Sequence, residues 1–179
     1  MIARALGIPI KIAAKVDCAD EVYFRMQIEP LLDGPSVEFI GEINEHQKMQ
    51  FLGNSRALLF PVDWPEPFGL SMFEALACGT PVLAFRCGSV PEIIEDGLTG
   101  AIVDTMEEAI AALPRVIALD RNRVRQRFEQ RFSATRMAKD YVGVYRSLIA
   151  SKSLGSKERS AQRRLRYGNG ANDARPHIA

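Results

Sequence analysis

Glu66-Pro67-Phe68-Gly69-Leu70-Ser71-Met72-Phe73-Glu74 lies between an apolar run and an amphipathic one, and that setting decides the fold. Upstream, Ala57-Leu58-Leu59-Phe60 is wholly apolar and stops at Pro61, which predicts a buried strand. Pro61, Pro65, Pro67 and Gly69 make the next ten residues a rigid loop. Downstream, Ser71 to Cys78 predicts a helix stopped by Gly79, and Pro81 to Phe85 a second apolar strand. The loop therefore leaves the carboxyl end of one strand and enters a helix.

The same alternation extends in both directions. Residues 2–7 read as a helix ending at Gly7, 9–14 as a short strand, Asp20 to Ile28 as a helix broken before Pro30, and 37–41 as a strand. Asn44 and Gln47 have the spacing of a capping box, so a helix is expected from Glu45 to Leu52. Pro91 to Glu95 is a helical turn, Asp96 to Gly100 a turn, and 101–103 a strand. Helices follow over 106–119, 121–131 and 134–150, the last behind a Ser133 cap. Short apolar strands separated by helices indicate an α/β fold with a parallel sheet covered on both faces. Ligands of such sheets bind outside the carboxyl ends of the strands, which nominates the 61–70 loop.

Formal net charge is +1 over 179 residues, giving no whole-chain signal for nucleic acid or membrane. The charge is unevenly spread: residues 151–179 hold seven Lys/Arg and two acids. The reading is a folded region over 1–150 and a basic, disordered tail over 151–179. A solvated tail is preferred; peripheral contact with an anionic membrane surface, or with RNA, is the alternative. Cys18, Cys78 and Cys87 are odd in number and match no zinc spacing, and His46 and His177 are far apart, so no metal site is expected. No apolar run reaches the roughly 18–20 residues of a membrane span, and no signal-peptide pattern opens the chain; a cytoplasmic protein with reduced thiols is expected.

The amides around Gly69, Leu70 and Ser71 open a helix and lack intrahelical partners, so they suit an anion or a sugar hydroxyl. Glu66 and Glu74 bracket that turn. A carboxylate can accept both hydrogens of a vicinal diol, at roughly 1.5–3 kcal/mol per bond. Against this stands the plain reading: a proline-rich loop with Glu74 as an ordinary acid near a helix N-terminus.

Glu66 to Glu74 resembles the E-x7-E motif of the retaining glycosyltransferases with the GT-B fold. Phe60-Pro61, Glu74-Ala75-Leu76-Ala77-Cys78-Gly79-Thr80-Pro81-Val82, Gly88-Ser89-Val90-Pro91-Glu92-Ile93-Ile94 and Asp96-Gly97-Leu98-Thr99-Gly100 stand in the family's order. The resemblance covers about residues 2–150. It implies the C-terminal, Rossmann-like half of a GT-B fold, which binds a UDP-, GDP- or ADP-linked sugar without metal or cofactor. Glu74 would bind the ribose hydroxyls and Glu66, the catalytic-site acid, the transferred sugar. Backbone at Phe68, Gly69 and Leu70 would meet sugar and diphosphate. The Phe39-Ile40-Gly41-Glu42-Ile43 segment, chiefly Gly41, Glu42 and Ile43, would surround the base. Displacement would proceed on the front face with retention at the anomeric carbon, onto an acceptor the sequence does not name.

Two family features have no match in residues 1–11. One is the first strand with its basic G-R…K-G loop; the other is the preceding acceptor domain. The chain is thus expected to be N-terminally truncated. It should be poorly stable, or else close the gap by pairing strand 10–14 directly with 57–60. A non-catalytic nucleotide-sugar-binding module or inactive remnant is the competing reading, and an isomerase or phosphorylase of the same architecture a third. Trp64 is expected either to stack on a sugar or line the cleft, or to make a rigidifying core contact. Lys15 is the nearest cation left in the sequence and is read as a solvated side chain rather than a replacement for the missing loop; Arg86 is a candidate phosphate or acceptor contact, and Glu92 is expected to be structural.

Overall fold

The structure is a computed structural model that describes the backbone of residues 1–167 and the side chains of 1–152. It divides into two compact units, residues 1–131 and 132–179.

In the first unit, a short helix α1 (Ile2–Ala5) leads into strand β1 (Ile10–Ala13). Strand β1 pairs in parallel with β2 (Val37–Gly41), Ile10 opposite Val37, with a register shift at Ile12/Ala13. The expected helix over 20–28 is replaced by short turns: a 3-10 turn Cys18–Asp20, α2 (Glu21–Tyr23), a π turn Phe24–Ile28 and a 3-10 turn Glu29–Leu31. Pro30 has no N–H to close an α bond on the Met26 carbonyl, so the helix widens and then tightens instead of continuing. Helix α3 (Glu45–Asn54) opens with the expected capping box: Asn44 Oδ1 accepts from the Gln47 amide and Gln47 Oε1 from the Asn44 amide, both at 3.0 Å.

The second sheet holds β3 (Leu58–Phe60), β4 (Val82–Phe85) and β5 (Gly100–Val103), all parallel, in the order β3-β4-β5. Helix α4 (Leu70–Ala77) joins β3 to β4, and α5 (Val90–Ile93) lies between β4 and β5. Helices α6 (Met106–Ile117) and α7 (Arg121–Phe132) follow. The core forms where Leu83, Ala101 and Val103 meet Ala109, Ala112, Leu113 and Val116 of α6, with Ile2 of α1 closing one end. Strand β4 is central and buried at Val82, Leu83 and Ala84; β3 is half-buried throughout.

The expected direct pairing of strand 10–14 with 57–60 does not form. Strands β1 and β3 belong to different sheets and each keeps one edge without a strand partner among the described residues. The seating of α3 explains why. The Thr80 hydroxyl donates to the Leu52 carbonyl at 2.7 Å, and the Arg121 guanidinium donates to the carbonyls of Gly53 and Ser55 at 2.7 and 2.5 Å. Strand β3 begins a few residues later, so it cannot slide toward β1 without giving up these bonds. A cavity of about 310 Å³ remains between β1 and α3, lined by Lys11, Gln47, Gln50, Phe51, Asn54 and Ser55.

In the second unit, helix α8 (Ala134–Tyr167) begins with the Ser133 hydroxyl accepting from the Arg136 amide at 3.3 Å. It extends past residue 150 into the stretch read as tail; residues 168–179, with Arg175 and His177, lie outside the described residues. Met137, Tyr141, Tyr145 and Leu148 are exposed along it. No helix among the described residues is long and apolar enough to cross a membrane.

Candidate functional site

The loop from β3 to α4 is shaped by its own acid. Glu66 Oε1 accepts the Gly69 amide at 2.9 Å and the Phe68 amide at 3.3 Å, and Oε2 accepts the Trp64 indole N–H at 3.4 Å. Gly69 caps α4 at φ 72°, a left-handed conformation that suits glycine. A second loop holds Glu66 from outside: the Ser89 amide donates to the Glu66 carbonyl at 2.9 Å. Gly88, at φ +53°, lies so close that a Cβ there would sit under 3.0 Å from the N, C and O atoms of Glu66. The Ser89 hydroxyl is buried beside Gly69 with no hydrogen-bond partner among the described residues.

This geometry sorts the amides expected to meet a ligand. Those of Phe68 and Gly69 are turned onto Glu66. Those of Leu70 and Ser71, in the first turn of α4, have no acceptor among the described residues. The Phe68 and Leu70 side chains are exposed, and Phe68 stacks on Phe73 with ring centroids 5.0 Å apart.

Glu74 lies in the second turn of α4, and its Oε1 accepts from Lys48 Nζ at 2.8 Å. Lys48 also donates to Glu45 at 2.9 Å. Hydrogen bonds to Glu74 first, and Glu45 second, raise the Lys48 ammonium above its ordinary value. Lys48 thus ties Glu74 to α3, whose N-terminus follows the proposed base segment. In that segment Gly41 is left-handed at φ +73° and its carbonyl accepts from Ala14 at 3.0 Å. Glu42 is exposed and Ile43 half-buried. No hydrogen bond among the described residues joins 41–43 to the 66–74 loop.

A model of the family described as glycosyl transferases group 1 matches residues 17–132. The chain belongs to that family. It is 34% identical over 133 residues to D-inositol 3-phosphate glycosyltransferases from Mycobacterium bovis (strain BCG / Pasteur 1173P2) and Mycobacterium tuberculosis (strain ATCC 25618 / H37Rv). That match takes in 72% of this chain but 27% of the curated relatives' length. Among solved structures, the chain resembles sucrose-phosphate synthase from Thermosynechococcus elongatus, with a TM-score of 0.66 at 24% identity over 84% of this chain and 41% of that one. It also resembles Anabaena HepE, solved with UDP and glucose, with a TM-score of 0.65 at 20% identity over 82% and 43%. At these identities the likeness establishes the fold alone: parallel sheets flanked by helices, matching less than half the length of these GT-B proteins.

The remaining candidates of this glycosyl transferase group 1 chain fall outside the loop. Trp64 is 57% exposed, which rules out the core contact. Lys15 pairs with Asp17 at 2.7 Å, and Arg86 with Asp104 at 3.1 Å, all exposed. His46 is exposed beside Gln50 on α3, and Glu92 is exposed on α5. Among the described residues, no group of three His, Cys, Asp or Glu side chains is arranged to hold a metal ion. Sequence reasoning missed Lys48, whose only signal was its place one turn after a base-segment helix cap. It also missed Gly88 as a contact of Glu66.

The Gly69 amide, then the Phe68 amide and least of all the Trp64 indole hold the Glu66 carboxyl below the ordinary glutamate value of 4.5, against an opposing effect of burial that exceeds the indole's. A depressed carboxyl stabilises the loop above 4.5, and that contribution is lost as pH falls through the lowered folded value. Trp64 is the sole tryptophan, so its emission reports the loop. Acid titration should show an emission transition with its midpoint below 4.5 that is absent in Glu66→Gln. A midpoint at or above 4.5, or the same transition in the variant, would contradict the assignment.

Proposed function

We propose that residues 1–150 form the donor-binding domain of a retaining glycosyltransferase that moves a hexosyl group from a nucleoside-diphosphate sugar to an acceptor, with residues 151–179 a basic tail. The observation that carries this is the β3–α4 junction: Glu66 closes the loop, the Leu70 and Ser71 amides stay open at a helix N-terminus, and Glu74 follows one turn later. Open amides and the helix dipole favour a diphosphate or sugar oxygen. Glu74 takes the ribose diol and Glu66 the transferred sugar; the Phe68 and Gly69 amides serve by orienting Glu66. Gly41, Glu42 and Ile43 carry the base. The UDP and glucose bound by Anabaena HepE make a UDP-sugar the first donor to try. No metal or cofactor is required in this reading, and the site works in the cytoplasm.

The second reading is a module that binds a donor without transferring its sugar. Arg86, the candidate phosphate or acceptor contact, and Lys15, the cation nearest the missing loop, are both engaged by surface carboxylates, which favours it.

Titrating the chain with UDP-, GDP- and ADP-sugars by calorimetry, with and without EDTA, separates these readings. One donor should bind, unaffected by EDTA, and Glu74→Ala should weaken it about ten- to a hundredfold, the loss of one or two hydrogen bonds to a charged group. No binding by any donor would sink the site. Binding without sugar release, to water or to an added acceptor, would favour the module.

A further inference from the structure

Lys48 and Glu74 are 26 positions apart, on helices that follow strands of different sheets. Helix α3 follows β2 and α4 follows β3, and no strand hydrogen bond joins those sheets. Their contact is also unlike an ordinary surface pair. The Lys48 side chain is 27% exposed and that of Glu74 33%, whereas Glu45, the other partner of Lys48, is 87% exposed. Partial burial leaves the pair less screened than its neighbour. Only one oxygen of Glu74 is taken; Oε2 has no partner among the described residues.

We infer that Lys48 is a positioning residue of the nucleotide site, an inference resting on Glu74 as the ribose grip. By holding Oε1, Lys48 restrains the Glu74 side chain and leaves Oε2 to accept the hydroxyls of a vicinal diol. Without the ammonium, a flexible glutamate must be ordered at the moment of binding, and that ordering is subtracted from affinity. The same bond ties the ribose grip to the helix whose N-terminus adjoins the base segment 41–43. Lys48 therefore sets the distance between the two parts of the site that read the nucleoside.

The test uses the full chain with UDP, or with GDP or ADP where one of these binds more tightly, each beside its 2′,3′-dideoxy counterpart. Affinities are read by ligand-observed NMR at up to millimolar concentration, with urea midpoints to confirm that each variant folds. Lys48→Met should weaken binding of the ordinary nucleotide by about tenfold, and Lys48→Arg should recover most of that loss. The loss should vanish with the dideoxy nucleotide and in a Glu74→Ala background, because Lys48 acts only through Glu74 on the diol. An equal loss with both nucleotides, or a loss that survives Glu74→Ala, would overturn the positioning role. So would unchanged binding in Lys48→Met, with the donor reading left standing. Failure of the unaltered chain to bind any of the three nucleotides would overturn both.

Discussion

Gly88→Ala should lower the stability of the chain by roughly 3 kcal/mol and weaken donor binding by about ten- to a hundredfold. Two costs add. At φ +53° an alanine carries the left-handed penalty of about 1–2 kcal/mol. Its methyl would also collide with the backbone of Glu66, which cannot give way as a side-chain tip can. Relief requires the 61–69 loop to move, and the loop carries the Glu66 carboxylate and the start of α4. Gly97→Ala is the matched control. Gly97 has φ +75°, but a Cβ there meets nothing within 4 Å, so it carries the backbone penalty alone. Urea denaturation and donor titration of both variants give the comparison. Equal stability losses, or unimpaired donor binding in Gly88→Ala, would show that the Gly88–Glu66 contact does not set the site.

Arg121→Ala should cost about 3 kcal/mol or more in urea unfolding. The guanidinium donates to the carbonyls of Gly53 (2.7 Å), Ser55 (2.5 Å) and Cys78 (3.4 Å) and to Thr80 Oγ1 (2.8 Å). It thereby joins the end of α3, the end of α4 and the start of α7. Removing it leaves several half-buried acceptors without their donor, and each such loss costs more than the bond was worth. Arg121→Lys should recover less than half, since one ammonium cannot span a fork's targets. A loss under about 1 kcal/mol, the scale of an ordinary surface change, would contradict this role. The unaltered chain's midpoint in the same series tests the expectation of low stability.

Much of the framework around the loop is legible in the sequence. The Asn44–Gln47 box, the halt of α4 at Gly79 and the strands at 58–60, 82–85 and 100–103 all lie within a residue or two of their expected places. Glu66 was singled out too, but for the sugar alone. That it closes on the amide three residues ahead is a local pattern that the spacing held and that the ligand reading overlooked. The 20–28 helix failed because Pro30 acts backwards over a whole turn, beyond the boundary assigned to it.

The family, the α/β class and the placing of the 61–69 loop between a strand and a helix follow from the amino-acid sequence. They rest on side-chain volume, glycine and proline stereochemistry, and hydrogen bonds spanning three or four residues, all of which act along the chain. The tertiary structure alone decided that the strands form two sheets, that Lys48 holds Glu74, that Gly88 abuts Glu66 and that Arg121 gathers three segments. Those contacts join residues 22 to 68 positions apart. They depend on which face each helix turns to its neighbour and on how closely two backbones approach, quantities set by packing in three dimensions.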